Sequence, residues 1–367
     1  MSRPLKILFT IPNFETAGSG KVVYDLVKGL NREKFHPEIL VKHSRGKFFK
    51  EVEKLGVPIH VFDYETDYKP LWNFPFRVLR VSRYLKSLDV DIIHSWHWSS
   101  DFSEPLAARM AGIKFIYTKK AMGWGNKAWV WRSKLSTKVI AINKDMMSEF
   151  FAKLPSVHAT YLPLGLDTEV YQPQEYHRPT AVKHGIVYDD FVVISVVNMV
   201  PVKGIEILIE AFLQTNIPNK KLLLVGNDRS EYVDQLKLKY CKKHPEVIFT
   251  GKQQEVRNYL SIADVFVIPT KNEGKREGMP MAPVEAMSSA LPVIGSRVSG
   301  VTDILEGFED WIFDAGNTHS LSDKLTEFYK LPKESKENIG VEMRAKVIDQ
   351  YSLQEFIRSR EQVYESV

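Results

Sequence analysis

DVFVIPTKNEGKREGMPMAPVEAMSSALPVIGSRVSG, residues 264–300, is the stretch on which the reading of the chain turns. Val265 to Pro269 is an apolar run with the length and composition of a buried parallel strand. The loop after it is dense in Gly, Lys and Glu, and Pro280 stands near its end. From Ala282 the residues become helix formers (Val284, Glu285, Ala286, Met287), which predicts a helix starting within a few residues of Met281. Leu291 to Ile294 is a second short apolar strand. Open α/β sheets bind ligands beyond the carboxyl ends of their strands, in this order of strand, loop, helix start and strand. A helix N-terminus there offers unpaired backbone N–H groups and a partial positive charge, which suits a phosphate. The expected ligand is an activated, phosphate-bearing substrate.

Working outward, the same alternation recurs on both sides. Leu5–Ile11 reads as a first strand, followed by the loop PNFETAGSG and an amphipathic helix beginning near Lys21. Short apolar strands are predicted at Glu38–Val41, Ile59–Phe62, Asp91–His94, Lys114–Thr118, Lys138–Ile142 and His158–Leu162. Residues 163–190 are polar and proline-bearing, the pattern of a linker. Beyond them strands at Phe191–Val197, Lys221–Val225 and Val247–Thr250 alternate with helices at Ile205–Leu213 and Ser230–Lys239. The reading is α/β, two domains in tandem, each with a parallel sheet. Residues 1–165 form the first domain and 166–345 the second, and 346–367 is a helix expected to pack back on the first.

With 367 residues, 44% apolar and 26% charged, the chain has the composition of a soluble globular protein of two domains. Cys241 is its single cysteine, which excludes intramolecular disulfides and Cys-built zinc sites and implies a reducing, cytoplasmic setting. The N-terminal residues lack a signal-peptide apolar region, and no apolar run approaches the roughly 20 residues of a membrane span. The net charge of +5 is unevenly spread. Residues 1–170 hold 26 Lys/Arg against 17 Asp/Glu, and the remainder 24 against 28. A basic N-terminal half fits contact with an anionic membrane at its inner face, or a solvated surface of chance asymmetry.

Ala17-Gly18-Ser19-Gly20-Lys21 invites a P-loop reading, but Glu15 stands where the first Gly belongs and Val22 where a Ser or Thr must hold Mg²⁺. What survives is a glycine turn that brings backbone near a ligand, or a plain strand–helix turn. Lys203-Gly204 follows a buried strand and precedes a helix, so the lysine can reach a phosphate above the sheet, or simply be solvated. Glu277 and Glu285 are eight apart, a spacing that Glu334 and Glu342 repeat in the tail, so setting rather than spacing distinguishes the first pair. His94 and His97 have i, i+3 spacing but lack a third metal ligand, and read as core or acceptor-pocket residues. In residues 119–138 a helix would align Trp124, Ala128, Trp131 and Leu135 in one stripe edged by Lys127, Arg132, Lys134 and Lys138. That stripe fits a membrane surface, packing on its own sheet, or stacking on sugar rings.

Taken in order, the Gly18 turn, Lys203-Gly204 and EGMPMAPVEAMSSALPVIGSRVSG resemble glycosyltransferase family 4, retaining enzymes of GT-B architecture. The resemblance covers nearly the whole chain and is strongest over residues 190–317. It implies two Rossmann-like domains with parallel sheets facing across a cleft. The implied activity is transfer of a sugar from a UDP- or GDP-sugar to a hydroxyl of a glycan or lipid-linked acceptor, in cell-surface polysaccharide or glycolipid synthesis. Glu285 should hold the ribose hydroxyls and Glu277 face the donor sugar. The backbone of Gly278, Met279, Pro280 and Met281 should hold sugar hydroxyls and phosphate, and Lys203 should neutralise the diphosphate. Gly18 should let the N-terminal loop close over it, and the base should lie near Lys252. On the acceptor side the expected residues are His97, Lys120 and Trp124. No metal and no cofactor is implied, and nucleic acid is not a partner. Many members have Gly-Arg where Val197-Asn198 stands here, which shifts the second cationic role to Lys252, Arg276 or Arg297. Thr118-Lys119-Lys120 replaces a frequent Thr-x-His, and Pro163-Leu164-Gly165 a frequent Pro-Asn-Gly. The competing expectations are a GT-B epimerase or phosphorylase and a degenerate sugar-nucleotide-binding scaffold subunit.

Overall fold

Two all-parallel sheets account for the apolar runs. The structure, a computed structural model, describes residues 3–15, 17–46, 48–124, 126–274 and 278–367. It divides into one unit of residues 1–165 with 353–367 and a second of 166–352.

In the first unit the strands are β1 (Leu5–Thr10), β2 (Phe35–Val41), β3 (Ile59–Val61), β4 (Ile92–Ser95), β5 (Lys114–Lys119), β6 (Lys138–Ala141) and β7 (Ala159–Tyr161). They lie in the order β3-β2-β1-β4-β5-β6-β7. The second unit holds β8 (Phe191–Val196), β9 (Lys220–Val225), β10 (Val247–Gly251), β11 (Val265–Ile268), β12 (Val293–Ser296) and β13 (Ile312–Phe313), ordered β10-β9-β8-β11-β12-β13. β4, β11 and β12 are buried along their whole length, because helices cover both faces of each sheet and leave no polar side to alternate with. In each sheet the strand order reverses beside the first strand, β1 next to β4 and β8 next to β11. A crevice opens outside the carboxyl ends of the strands at such a reversal.

Three differences from the sequence reading have physical causes. Residues 346–352 belong to the second unit, because Lys333–Gln350 is one continuous helix held against that sheet's elements. A Cβ on Gly340 would lie 2.1 Å from the Ala290 carbonyl oxygen, and Arg344 donates to the Ser288 carbonyl. The helix that packs in the first unit is Leu353–Ser366. Its Tyr364 hydroxyl pairs with His94 Nδ1 at 2.6 Å, and its buried Arg360 donates to the carbonyls of Leu162 and Pro163 at 2.9 and 2.6 Å. The segment 163–190 is not a free linker, since Leu166 N–H donates to the Tyr351 carbonyl and the Tyr171 carbonyl accepts from Ser288 at 2.5 Å.

The third difference removes the tryptophan stripe. β5 runs through Lys119 and the next helix spans only Trp129–Leu135, so Trp124 is not helical. Lys119 is buried and donates to the carbonyls of Ala121 and Gly123, with its Nζ 3.5 Å from the centre of the Trp124 ring. Trp124 stacks on Trp129 at 4.7 Å and meets Phe150 edge-on. Of the four residues expected in the stripe, Trp131 alone ranks among the exposed large hydrophobics.

Candidate active site

In the second unit the predicted residues gather on the carboxyl side of β8 and β11. Asn198 is exposed on the loop after β8, and Lys203 is half-buried in a single 3₁₀ turn, Pro201–Lys203. Gly204 has φ +65°, and a Cβ there would lie 2.2 Å from the Pro269 carbonyl oxygen, so only glycine lets the β8 loop touch the end of β11. Lys271 N–H donates to the Val202 carbonyl at 2.9 Å across the same junction, and Lys271 Nζ pairs with Glu206 at 2.5 Å. Burial pulls the Lys203 ammonium down to about 8.

Gly278, Met279 and Pro280 are buried and lead into the helix Met281–Ser288. Gly300, at φ +78°, would place a Cβ 2.3 Å from the Gly278 carbonyl oxygen, so the turn after β12 braces the loop that starts this helix. Glu285 lies on the second turn of the helix. Burial raises its carboxyl to about 7, partly offset by a hydrogen bond from the Tyr171 hydroxyl. Tyr171 is in turn raised by burial first and by the Glu285 charge second. Sequence reasoning missed Tyr171, since a tyrosine in a polar stretch carries no spacing that ties it to a helix more than a hundred residues away. Glu277, together with Lys275 and Arg276, lies outside the described residues. Lys252 is exposed at the end of β10, the edge strand, with β9 between it and β8. It lines an open hollow of about 530 Å³ with Thr180, Lys183 and Tyr259.

The first unit holds the other four predicted residues on loops or helix starts after β1, β4 and β5. The helix Ala17–Gly29 begins four residues before the expected position, so Gly18 is exposed in its first turn rather than in a glycine turn. A Cβ on Gly18 would meet nothing within 4 Å, whereas one on Gly20 would sit 3.0 Å from the Phe14 ring. Lys120 joins this helix start to the end of β4, donating to Ser19 Oγ at 2.9 Å and to the Trp96 carbonyl. Burial, and secondarily the Arg132 charge, lowers Lys120 to about 7. His97 is buried; its Nδ1 accepts from Ser99 N–H at 2.9 Å and lies 3.1 Å from Glu65 Oε1. Burial and the nearby cations Arg132, Lys42 and Lys120 hold the ring neutral, at about 2. His94 spends both nitrogens in the core, on Tyr364 and on Thr118 Oγ1 at 2.7 Å. Beneath them Arg132 and Glu104 form a fully buried pair at 2.9 Å, joined by Ser95 and Thr10. The sequence reading set Arg132 at the edge of the stripe of Trp124, Ala128, Trp131 and Leu135.

Comparison with known proteins accounts for this arrangement. The model described as "Glycosyltransferase Family 4" matches residues 16–170, and that described as "Glycosyl transferases group 1" matches 178–346. N-acetyl-alpha-D-glucosaminyl L-malate synthase of Bacillus anthracis is 28% identical over 50% of this chain and 48% of its own length. The capsular polysaccharide biosynthesis glycosyltransferase CapM of Staphylococcus aureus is 27% identical over 49% of this chain and 47% of its own. UDP-Gal:alpha-D-GlcNAc-diphosphoundecaprenol alpha-1,3-galactosyltransferase of Escherichia coli is 24% identical over 68% of both. The matched part thus spans about half the length of the first two relatives. Among solved structures, a glycosyltransferase of Rickettsia africae superposes with a TM-score of 0.86 at 17% identity, covering 100% of this chain and 99% of that one. Anabaena HepE in complex with UDP and glucose gives 0.78 at 18%, covering 99% and 100%. The fold is that of the GT-B glycosyltransferases. The chain belongs to the glycosyltransferases, with a family 4 part over residues 16–170 and a group 1 part over residues 178–346.

Proposed function

We propose that the protein transfers a sugar, with retention at the anomeric carbon, from a nucleotide-diphosphate sugar to a hydroxyl of a glycan or lipid-linked acceptor in polysaccharide or glycolipid synthesis. The observation that carries this is the clustering of Lys203, Gly278–Met281 and Glu285 beyond the carboxyl ends of β8 and β11. One half-buried ammonium, one helix start and one half-buried carboxyl are thereby grouped where an α/β sheet takes its ligand. The relatives named above add support: one is named for a UDP-Gal donor and a diphosphoundecaprenol acceptor, another for capsular polysaccharide.

The chemistry assigned to these groups is electrostatic. As the sugar acquires oxocarbenium character the diphosphate gains charge, and preorganised donors aimed at that charge lower the barrier. In our reading Lys203 and the N–H groups at the Met281 helix start supply it. Glu285 accepts from the ribose hydroxyls, and Glu277, whose position is not described, faces the sugar. The departing phosphate takes the acceptor proton on the same face, so no carboxylate serves as nucleophile and no metal or other cofactor enters. Asn198 contributes a neutral donor rather than a charge, and Lys252 stands toward the base. The protein works at the inner face of the cell membrane; no described helix is long and apolar enough to cross it.

The test measures nucleotide diphosphate release from a panel of UDP- and GDP-sugars, in chelator, with and without a crude lipid-linked acceptor. Acceptor-dependent release that Lys203→Ala and Glu285→Ala each abolish, with the fold intact, is the expected result. Near-wild-type turnover in either variant refutes the assignment. Conversion without acceptor would point to an epimerase, and binding without turnover to a scaffold.

A further inference from the structure

The three most exposed large apolar side chains described in the first unit are concentrated in one place. Leu71, Trp72 and Phe76 are 71%, 76% and 69% exposed, and Tyr68 lies just before them. Single exposed apolar residues are ordinary, but three within six positions are not. They stand at the start of the helix Phe74–Ser87, whose inner face (Val78, Val81, Ser82, Leu85) is already buried on the unit's own core. By helical spacing Phe76 therefore lies on the opposite side from the core-packing face, and Leu71 and Trp72 stand in the turn just before it.

The same outer face carries charge of one sign. Phe76, Arg80 and Arg83 follow i, i+4, i+7 spacing and are all exposed, with Lys86 exposed next to that line. The helix contains no Asp or Glu, and among the described residues Arg80, Arg83 and Lys86 take part in no ion pair. Arg80 instead lies over the Phe62 ring, 5.5 Å from its centre. Arg77 is the exception, spent on Thr66 and on the carbonyls of Asp67, Lys69 and Pro70. Asp67 is the one acidic residue between positions 66 and 88, apart from which the segment adds Lys69 to the cations. At a rise of about 1.5 Å per residue, Arg83 stands roughly 10 Å along the axis from Phe76. Apolar rings at one end with bare cations a helix turn or two behind match a bilayer, where the acyl boundary lies just under a layer of phosphates.

We propose that this face, with Leu71, Trp72 and Phe76 leading and Arg80, Arg83 and Lys86 beside them, seats the protein on an anionic lipid bilayer. It deepens the reading of a lipid-linked acceptor, but it is measured without donor or acceptor, so the two can fail separately.

The experiment floats the full chain with phosphatidylcholine vesicles containing about one third phosphatidylglycerol, at low ionic strength and again at roughly 0.5 M salt. Wild type should float at low salt, less so at high salt, and not with pure phosphatidylcholine. Arg80→Glu with Arg83→Glu should cut partitioning by at least about tenfold, since each surface cation contributes about fivefold. Trp72→Ser with Phe76→Ser should cut it by a similar factor even at low salt. Both variants should keep the wild-type melting temperature and donor turnover on a water-soluble acceptor. Wild type that stays unbound, variants that float like wild type, or equal flotation with neutral vesicles would each overturn the proposal. So would a chain that ignores vesicles but is captured through this face by a protein or by nucleic acid.

Discussion

Gly204→Ala is a direct test of how the site is assembled. Gly204 stands between the turn bearing Lys203 and the helix Ile205–Gln214, at φ +65°. An alanine there takes a left-handed conformation that costs about 1 kcal/mol. Its Cβ would also stand 2.2 Å from the Pro269 carbonyl oxygen, where real Cβ contacts stay beyond 3.0 Å. The obstacle is backbone at the end of β11, not the tip of a flexible side chain, so relief requires parting the β8 loop from β11. Overpacking of this kind costs about 1–3 kcal/mol. The combined loss of about 3 kcal/mol corresponds to a melting temperature lower by about 6–12 °C for a domain of this size. Differential scanning calorimetry of the full chain reads it directly. Parting the loop also moves Lys203, so affinity for a UDP- or GDP-sugar, measured by titration calorimetry, should fall by more than about tenfold, the equivalent of about 1.4 kcal/mol. An alanine variant that melts within about 2 °C of wild type would refute the argument that this contact sets the Lys203 turn.

Three further outcomes follow from the same geometry. Lys203 is charged below about 8 and loses its proton above it, whereas Glu285 ionises above about 7, so kcat/KM for the donor should peak between these values. Lys203→Arg should flatten the alkaline fall while leaving the acid limb in place; an unchanged alkaline limb would assign it to another group. Gly18→Ala has room on an exposed first helical turn and should raise stability by up to about 1 kcal/mol, seen in chemical denaturation. A fall in donor turnover at retained stability would then show that backbone approaches the ligand there, and unchanged turnover would make Gly18 an ordinary helix residue. Glu104→Ala strands the buried Arg132 guanidinium and should cost about 3–5 kcal/mol by the same measurement. Glu104→Ala with Arg132→Met should cost less than Glu104→Ala alone, and a double variant less stable than the single one would contradict a charge-stranding origin.

Legibility in the sequence followed burial. Parallel strands covered on both faces leave uninterrupted apolar runs, so β8, β11 and β12 could be read to within a residue or two, and the turn and helix that follow β8 and β11 located Lys203 and Glu285. Two-residue β13 leaves no such run and was not legible. Residues 119–138 misled for a different reason. Their apolar and basic residues have helical spacing, but the buried Lys119 finds its acceptors in the carbonyls of Ala121 and Gly123, which commits those residues to a loop. No propensity scale registers a side chain that competes with the backbone for its own carbonyls. The aromatic residues show the same limit. Trp124 and Trp72 both stand among lysines or arginines in the sequence, yet one is covered by Trp129 and Phe150 and the other is 76% exposed. What separates them is the inner face of the helix that follows Trp72. Val78, Val81, Ser82 and Leu85 fill the core contact on their own, so no buried place remains for Trp72 and Phe76.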